Sequence, residues 1–322
     1  MHRRQALLTA AGLAVATGAR AQTWPVRPLR MVIPWPPGQA TDLAGRVLAQ
    51  KLSELLGQSV VADNRAGAGG MIGTDAVAKA APDGYTILAG SSGPVTINPL
   101  VQRTAYDAER DMAPIAMIGR SGYTLVVRPG FPAADLAAFV ALVKASPGKY
   151  TFASSGNGAT AHLIAEWFNR RAGLDSLHIP YPGSVPALTA IVAGQVDYAL
   201  ETVAATGPLV RTGALRALGI SFAGGSALAP GVPPIATAGG SLAGFDAGAW
   251  LGLMAPAGVP RPIVERLAAE TARAMAIAEV RDRLASVGVE PDFRDAATFA
   301  THLKEQREVF TEIVRSANIR IE

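Results

Sequence analysis

Two stretches combine glycines with short polar side chains directly ahead of apolar periodic segments: Pro37-Gly38-Gln39-Ala40-Thr41-Asp42 and Ser154-Ser155-Gly156-Asn157-Gly158-Ala159-Thr160-Ala161-His162. Glycine lets the backbone approach a small guest, and Ser, Asn, Thr and the Gln39 amide add directional donors. Where such a stretch opens a helix, unpaired N–H groups sit at the positive end of the helix dipole and favour an anion without any Lys or Arg. A carboxylate is the natural guest. Either stretch alone would also serve as an ordinary strand-to-helix turn, and only their pairing points further.

Competing chemistries are weaker. Gly156-x-Gly158-x-x-Ala161 formally matches a dinucleotide fingerprint, with Asp175 about 20 residues on. Asp175, however, precedes its strand, whereas a ribose-binding acid belongs at a strand's C-terminal end, so a dinucleotide-dependent oxidoreductase is the remote alternative. Gly219-Ile220-Ser221-Phe222-Ala223 lacks the final glycine of a nucleophile elbow. His162 could serve Ser155 as a base, but a histidine in the first turns of a helix beside a polar loop is more often a framework residue. His178 reads as a strand residue and His302 as a helix-surface residue, and no metal-ligand spacing joins them. Asp111, Asp246 and Glu270 read as solvated carboxylates, while Glu201, at a strand end, suits a cleft. No catalytic residue, cofactor or metal is expected.

The elements that must position these loops alternate, strand then helix, almost to the end, which predicts an α/β fold around mostly parallel sheets. A strand at Leu29–Ile33 runs through Pro34-Trp35-Pro36 into a helix whose apolar face is Leu43, Val47, Leu48, Leu52, Leu55 and Leu56, with Thr41-Asp42 as its cap. Strands at 59–63 and 85–89, separated by a glycine-rich turn and a helix to about 80, complete a first block. A second block starts with a strand at 123–127. It continues with helices at 133–145, 159–171, 185–193 and 203–211 and strands at 150–153, 177–179 and 195–200. A strand at 215–220, an ordered Gly/Pro/Ala-rich passage at 223–244, a strand near 249–255 and helices at 261–276, 279–287 and 296–316 return the chain. Two crossings between blocks, near Arg120 and Gly219, predict a discontinuous domain, residues 22–121 and 220–322, around an inserted domain, residues 122–219. That arrangement permits hinge closure over a ligand.

Arg3-Arg4, an apolar stretch from Ala6 to Thr17 and Ala19-Arg20-Ala21 read as an export signal over residues 1–21, by the Sec or the twin-arginine route, to the periplasm. No later segment offers about 20 uninterrupted apolar residues, so a soluble mature protein is expected. Net charge is +4 and falls to about +1 without Arg3, Arg4 and Arg20; charged residues make up only 17%, which gives no basic face for nucleic acid. Cysteine is absent, which excludes disulfides and thiolate chemistry. With hydrophobic residues at 49%, the chain can bury a core shared between two domains.

From about Trp24 to Glu322 the sequence resembles the periplasmic solute-binding receptors of tripartite tricarboxylate transporters, the Bug or TctC-like proteins. The resemblance rests on ordered motifs: Trp24-Pro25-Val26-Arg27-Pro28, Pro36-Pro37-Gly38-Gln39-Ala40-Thr41-Asp42, Asn64-Arg65-Ala66-Gly67-Ala68-Gly69-Gly70, Pro82-Asp83-Gly84-Tyr85-Thr86 and Ile97-Asn98-Pro99. Further along come Pro147-Gly148-Lys149, Ala153 to Gly158, Pro180-Tyr181, Gly183-Ser184, Pro186-Ala187-Leu188, Ala193-Gly194-Gln195-Val196-Asp197 and Ala255-Pro256-Ala257-Gly258. It implies a two-domain Venus-flytrap receptor, type II-like, that passes a small carboxylate to membrane permease subunits, with a signalling sensor as the alternative destination and a monomer as the expected state. The ligand is expected against Trp35, Pro37, Gly38, Gln39, Ala40, Thr41 and Asp42 on one side. Ser155, Asn157, Gly158, Ala159, Thr160, Tyr181 and Glu201 face it, partly through bridging water, and Ser91 and Ser92 lie at the cleft.

The sequence departs from the family pattern at that cleft. Gln39 stands where a second glycine is usual, Pro182 where a lysine is, Ala190 where an aspartate is, and Glu201 near the place of another aspartate. Trp35 replaces a commoner phenylalanine and either floors an aromatic ligand or packs, burial being the usual role of a large aromatic. These changes imply a monocarboxylate or modest dicarboxylate in preference to citrate, because each further carboxylate needs its own donors.

Overall fold

Leu29 to Ile33 is an almost unbroken apolar run, as befits a strand covered on both faces, and a computed structural model of the protein places it as β1 (Leu29–Ile33) inside a parallel flank. The structure describes residues 24–317, and the export signal expected over 1–21 lies outside them. β1 pairs in parallel with β2 (Val60–Asn64) and β3 (Thr86–Ser91). The connections are α1 (Ala40–Leu56) and α2 (Met71–Ala78). α1 buries Val47, Leu48, Leu52 and Leu56 and ends at Gly57, whose φ of 66° and amide bond to the Ser53 carbonyl make a left-handed cap.

Beyond β3 the chain enters a wide π-helical turn at Gly93–Ile97, then α3 (Asn98–Val101) and α4 (Ala108–Asp111). None of these is legible in the sequence, since Pro94 and Pro99 interrupt any period. β4 (Met112–Val127) then runs 16 residues, antiparallel to β9 (Gly248–Pro256) along its first part and to β7 (Tyr198–Thr202) and β8 (Arg216–Ile220) along Tyr123–Val127. One strand thus links both lobes. Only 123–127 of it is legible in the sequence, because Pro114 and Gly119 break the apolar alternation; both sit at register shifts opposite β9.

The second lobe contains α5 (Leu136–Lys144), β5 (Tyr150–Ser154), α6 (Thr160–Ala172), β6 (Ser176–Pro180), α7 (Ser184–Val192) and α8 (Val203–Arg211). β5 pairs in parallel with β6 and β7. The strand order is β2-β1-β3-β9-β4-β7-β5-β6, with β8 and β10 (Glu290–Arg294) also on β4. Parallel pairs form both flanks and antiparallel pairs gather on β4 and β9. This is the α/β architecture the alternation predicts.

The passage after β8 is ordered by packing: Ile235, Leu242 and Phe245 join Leu125, Phe139, Phe152 and Phe168 in one core. Arg171 on α6 holds it there by donating to the carbonyls of Ser241 and Ala243, each at 2.7 Å. α9 (Arg261–Ala276) and α10 (Ala278–Ser286) share the first lobe's core with α1. α11 (Ala296–Ala317) sets Phe299 against Trp250 and Phe310 in the second lobe's core, so it spans both lobes. Among the described residues no helix is long and apolar enough to cross a membrane.

Candidate functional site

Gln39 is extended, at φ −78° and ψ 158°, and is the N-cap of α1 with no side-chain capping bond. Thr41 and Asp42 therefore lie inside the first turn, which corrects the expectation that they cap it. The Asp42 side chain turns inward: only 1% exposed, its Oδ2 accepts the Gly38 amide at 2.9 Å, while Oδ1 accepts Arg46 Nε at 2.9 Å and Asn64 Nδ2 at 2.8 Å. Asn64 also donates to the Trp35 carbonyl at 3.0 Å. Asp42 thus clamps the loop from beneath, one residue set holding both its ends. Helix geometry leaves the amides of Ala40 and Thr41 without intrahelical acceptors, at the exposed ridge formed by Pro36, Pro37, Gly38 and Gln39.

Trp35 is half-buried, and its indole Nε1 donates to Ser91 Oγ at 2.9 Å. A side chain at Gly93 would meet the Trp35 ring at 3.3 Å and Thr160 Oγ1 at 3.9 Å. The first loop, the π-helical turn and the start of α6 therefore converge on one glycine. Ser92 stands differently: it is fully buried and its Oγ accepts the Trp250 amide at 2.8 Å, which binds β9 to the turn.

The second loop is held by histidines. Gly158, at φ 68°, donates its amide to His162 Nδ1 at 3.1 Å, which assigns the ring proton to Nε2. His178 Nε2 lies 2.7 Å from Ser154 Oγ, and the two imidazoles stack with centroids 3.8 Å apart. His162 is the framework residue its position suggests, and His178 joins it. The Gly158 N–H is engaged and the Ala159 N–H donates to the Gly156 carbonyl at 3.2 Å, so the half-buried Ser155 and Thr160 are what this loop leaves, with Asn157 exposed at the tip. Tyr181 closes the loop from the side, its amide donating to the Ser154 carbonyl at 3.0 Å.

Burial lowers the His162 pKa from 6.5 to about 3, with the His178 charge as second cause, and burial lowers His178 to about 4. Unfolded histidines take up protons near 6.5 while these do not, so the stability of the neutral pair is complete above pH 6.5 and is lost as pH falls toward 4. Unfolding free energy measured by urea titration should drop by roughly 2–5 kcal/mol between pH 7 and pH 4.5, and His162→Gln should flatten that slope. An unchanged slope in the variant would remove His162 from the explanation.

Glu201 is 1% exposed and lies under the second loop: Oε2 accepts Ser184 Oγ at 2.9 Å and the Thr202 amide at 3.2 Å. Burial raises its pKa, opposed by the bonds from Ser184 and Thr202 and by the nearby Ser155. Its Oε1 and the hydroxyl of Thr124, directly opposite on β4, are buried without hydrogen-bond partners among the described residues. Tyr123, which the sequence does not single out, is buried beside this acid and near Thr160, burial first and Glu201 second raising its pKa. Gly93 is the other residue missed; its only sequence signal is its place directly after the serine pair. Pro182 is exposed, and Ala190 is a core residue on the buried face of α7.

A cavity of about 470 Å³ lies elsewhere, lined by Arg27, Arg30, Asp83 and Tyr85 around the N-terminal ends of β1 and β3. Its cations are paired, Arg27 with Asp83 at 3.0 Å and Arg30 with Asp63 at 3.9 Å. Among the described residues no cluster of His, Cys, Asp or Glu could hold a metal ion.

Residues 44–319 match the model of the tripartite tricarboxylate transporter family receptor. Protein BugT of Bordetella pertussis is 39% identical over 292 residues, which cover 88% of this chain and 89% of that one. Among solved structures, R. palustris Rpa4515 with adipate superposes with a TM-score of 0.85 at 30% identity, over 92% of this chain and 99% of that one. MatC from Rhodopseudomonas palustris, with bound malate, gives 0.80 at 32% identity, over 90% of this chain and 100% of that one.

Proposed function

We propose a function from one premise: the chain belongs to the tripartite tricarboxylate transporter family of receptors. These are binding proteins, not enzymes. The protein captures one small carboxylate between its two lobes, residues 22–121 with 220–322 on one side and 122–219 on the other, and presents it to the membrane subunits of a transporter in the periplasm. The observation that carries this reading is the approach of the loop ahead of α1 to the start of α6, with the Trp35 ring and Thr160 both beside Gly93. The start of α1 leaves the amides of Ala40 and Thr41 without intrahelical acceptors, and the loop ahead of α6 carries Ser155 and Thr160, a donor set that suits a carboxylate. Adipate and malate in the two solved relatives support the ligand class.

The ligand is a monocarboxylate or a small dicarboxylate. Glu201 is a buried acid, Pro182 brings no cation, and an unpaired second or third carboxylate in a closed cleft is costly. A thermal-shift series with benzoate, malate, adipate, citrate and NAD tests the reading, since a ligand that binds only the folded state raises Tm by mass action. One of the first three should give the largest rise. Citrate alone, or NAD alone, raising Tm would overturn it, as would steady conversion of a bound carboxylate to product.

A further inference from the structure

We infer that the Trp35 indole N–H sets Ser91 to donate into the cleft and thereby makes the site prefer a carboxylate to the corresponding carboxamide. The inference rests on the carboxylate reading above. Ser91 ends β3 at the same sheet edge from which the first loop leaves β1, since the two strands pair in parallel from Arg30 with Thr86 to Val32 with Leu88. Its side chain is 5% exposed, so a guest in the cleft would meet a nearly dry hydroxyl.

Indole nitrogen can only donate, and it lies 2.9 Å from Ser91 Oγ. The serine oxygen therefore accepts, which takes one of its two acceptor positions and polarises its own O–H, strengthening it as a donor by about 10–30%. Among the described residues no acceptor takes that hydroxyl hydrogen. Trp35 is held for this task from two sides: its carbonyl accepts Asn64 Nδ2 at 3.0 Å, and its ring edge faces Gly93, where the missing side chain leaves room up to Thr160. The ring forms a wall of the cleft while its N–H turns back to the strand end.

A carboxylate oxygen only accepts and satisfies such a hydroxyl in either orientation. A carboxamide presents an NH2 group in one of its two orientations, donor against donor, and fixing the other orientation forfeits choice elsewhere in the site. Discrimination thus comes from one hydroxyl whose direction is set by a neighbour. Trp35 is a positioning residue here, and Ser91 is the contact.

Calorimetry on the protein, Trp35→Phe, Ser91→Ala and the double variant tests this, with the pairs benzoate and benzamide, and adipate and adipamide, as probes, plus malate. Trp35→Phe keeps an aromatic wall and loses the N–H. It should weaken carboxylate binding roughly three- to tenfold, leave carboxamide binding level or improved, and so lower the preference ratio. In the Ser91→Ala background the same change should alter carboxylate affinity by less than about twofold, since the coupling has gone. An unchanged ratio in Trp35→Phe, or equal losses in both backgrounds, would show that the ring only packs and overturn the inference while leaving the carboxylate reading intact. No binding of benzoate, adipate or malate to the parent would overturn that reading and the inference with it.

Discussion

Gly158→Val should reduce carboxylate affinity by at least about a hundredfold, the loss of several hydrogen bonds at once. Gly158 sits at φ 68°, a left-handed conformation that a β-branched residue enters only with strain. That strain is on the order of 1–3 kcal/mol, and the loop can relieve it only by rotating the peptide that donates to His162. Rotation carries Ala159 and Thr160 with it, and with them the start of α6. The variant should therefore lose both stability and binding, and the binding loss should be the larger in free energy. Gly158→Ala, with a smaller side chain, should fall between. Urea melts and calorimetry on the same preparations separate the two effects; wild-type affinity in Gly158→Val would mean the carboxylate does not lie against this loop.

Asp42→Ala should lower unfolding free energy by about 2–4 kcal/mol, the range for removing a buried hydrogen-bonded acid from its partners. Three donors lose their acceptor: the Gly38 amide, Arg46 and Asn64. Arg46 is half-exposed and can turn to water, which keeps the loss below the upper limit for a buried pair. Asn64 cannot let go so easily, because it also tethers Trp35. The first loop should loosen and ligand binding weaken with it. Asp42→Asn retains an acceptor for Gly38 and should recover part of both losses. Stability within about 0.5 kcal/mol of the parent in Asp42→Ala would place this residue among ordinary surface positions.

The parts of this molecule set by local pattern can be read from the chain. β1, α8 and α9 fall where apolar periodicity puts them, and both polar loops do lie between a strand and a helix. What escapes is set by long-range contacts. β4 is a single strand only because β9 and β7 supply partners along its length, overriding Pro114 and the glycines. The inward turn of Asp42 depends on Asn64, 22 residues away, and the pairing of Trp35 with Ser91 spans 56. Neither spacing has a periodicity to betray it. Ser92 and Ser91 are adjacent in sequence, yet one is bonded to the β9 backbone and the other to the cleft wall, a difference that only the packed sheet creates.

A crystal structure of the protein with whichever of benzoate, malate or adipate raises its Tm most would test the central claim most directly. One ligand should bind per chain, its carboxylate bonded directly or through one water to the amides of Ala40 or Thr41 on one side and to Ser155 or Thr160 on the other. A ligand held by one lobe alone, or seated in the cavity beside Arg27 and Arg30, would contradict it.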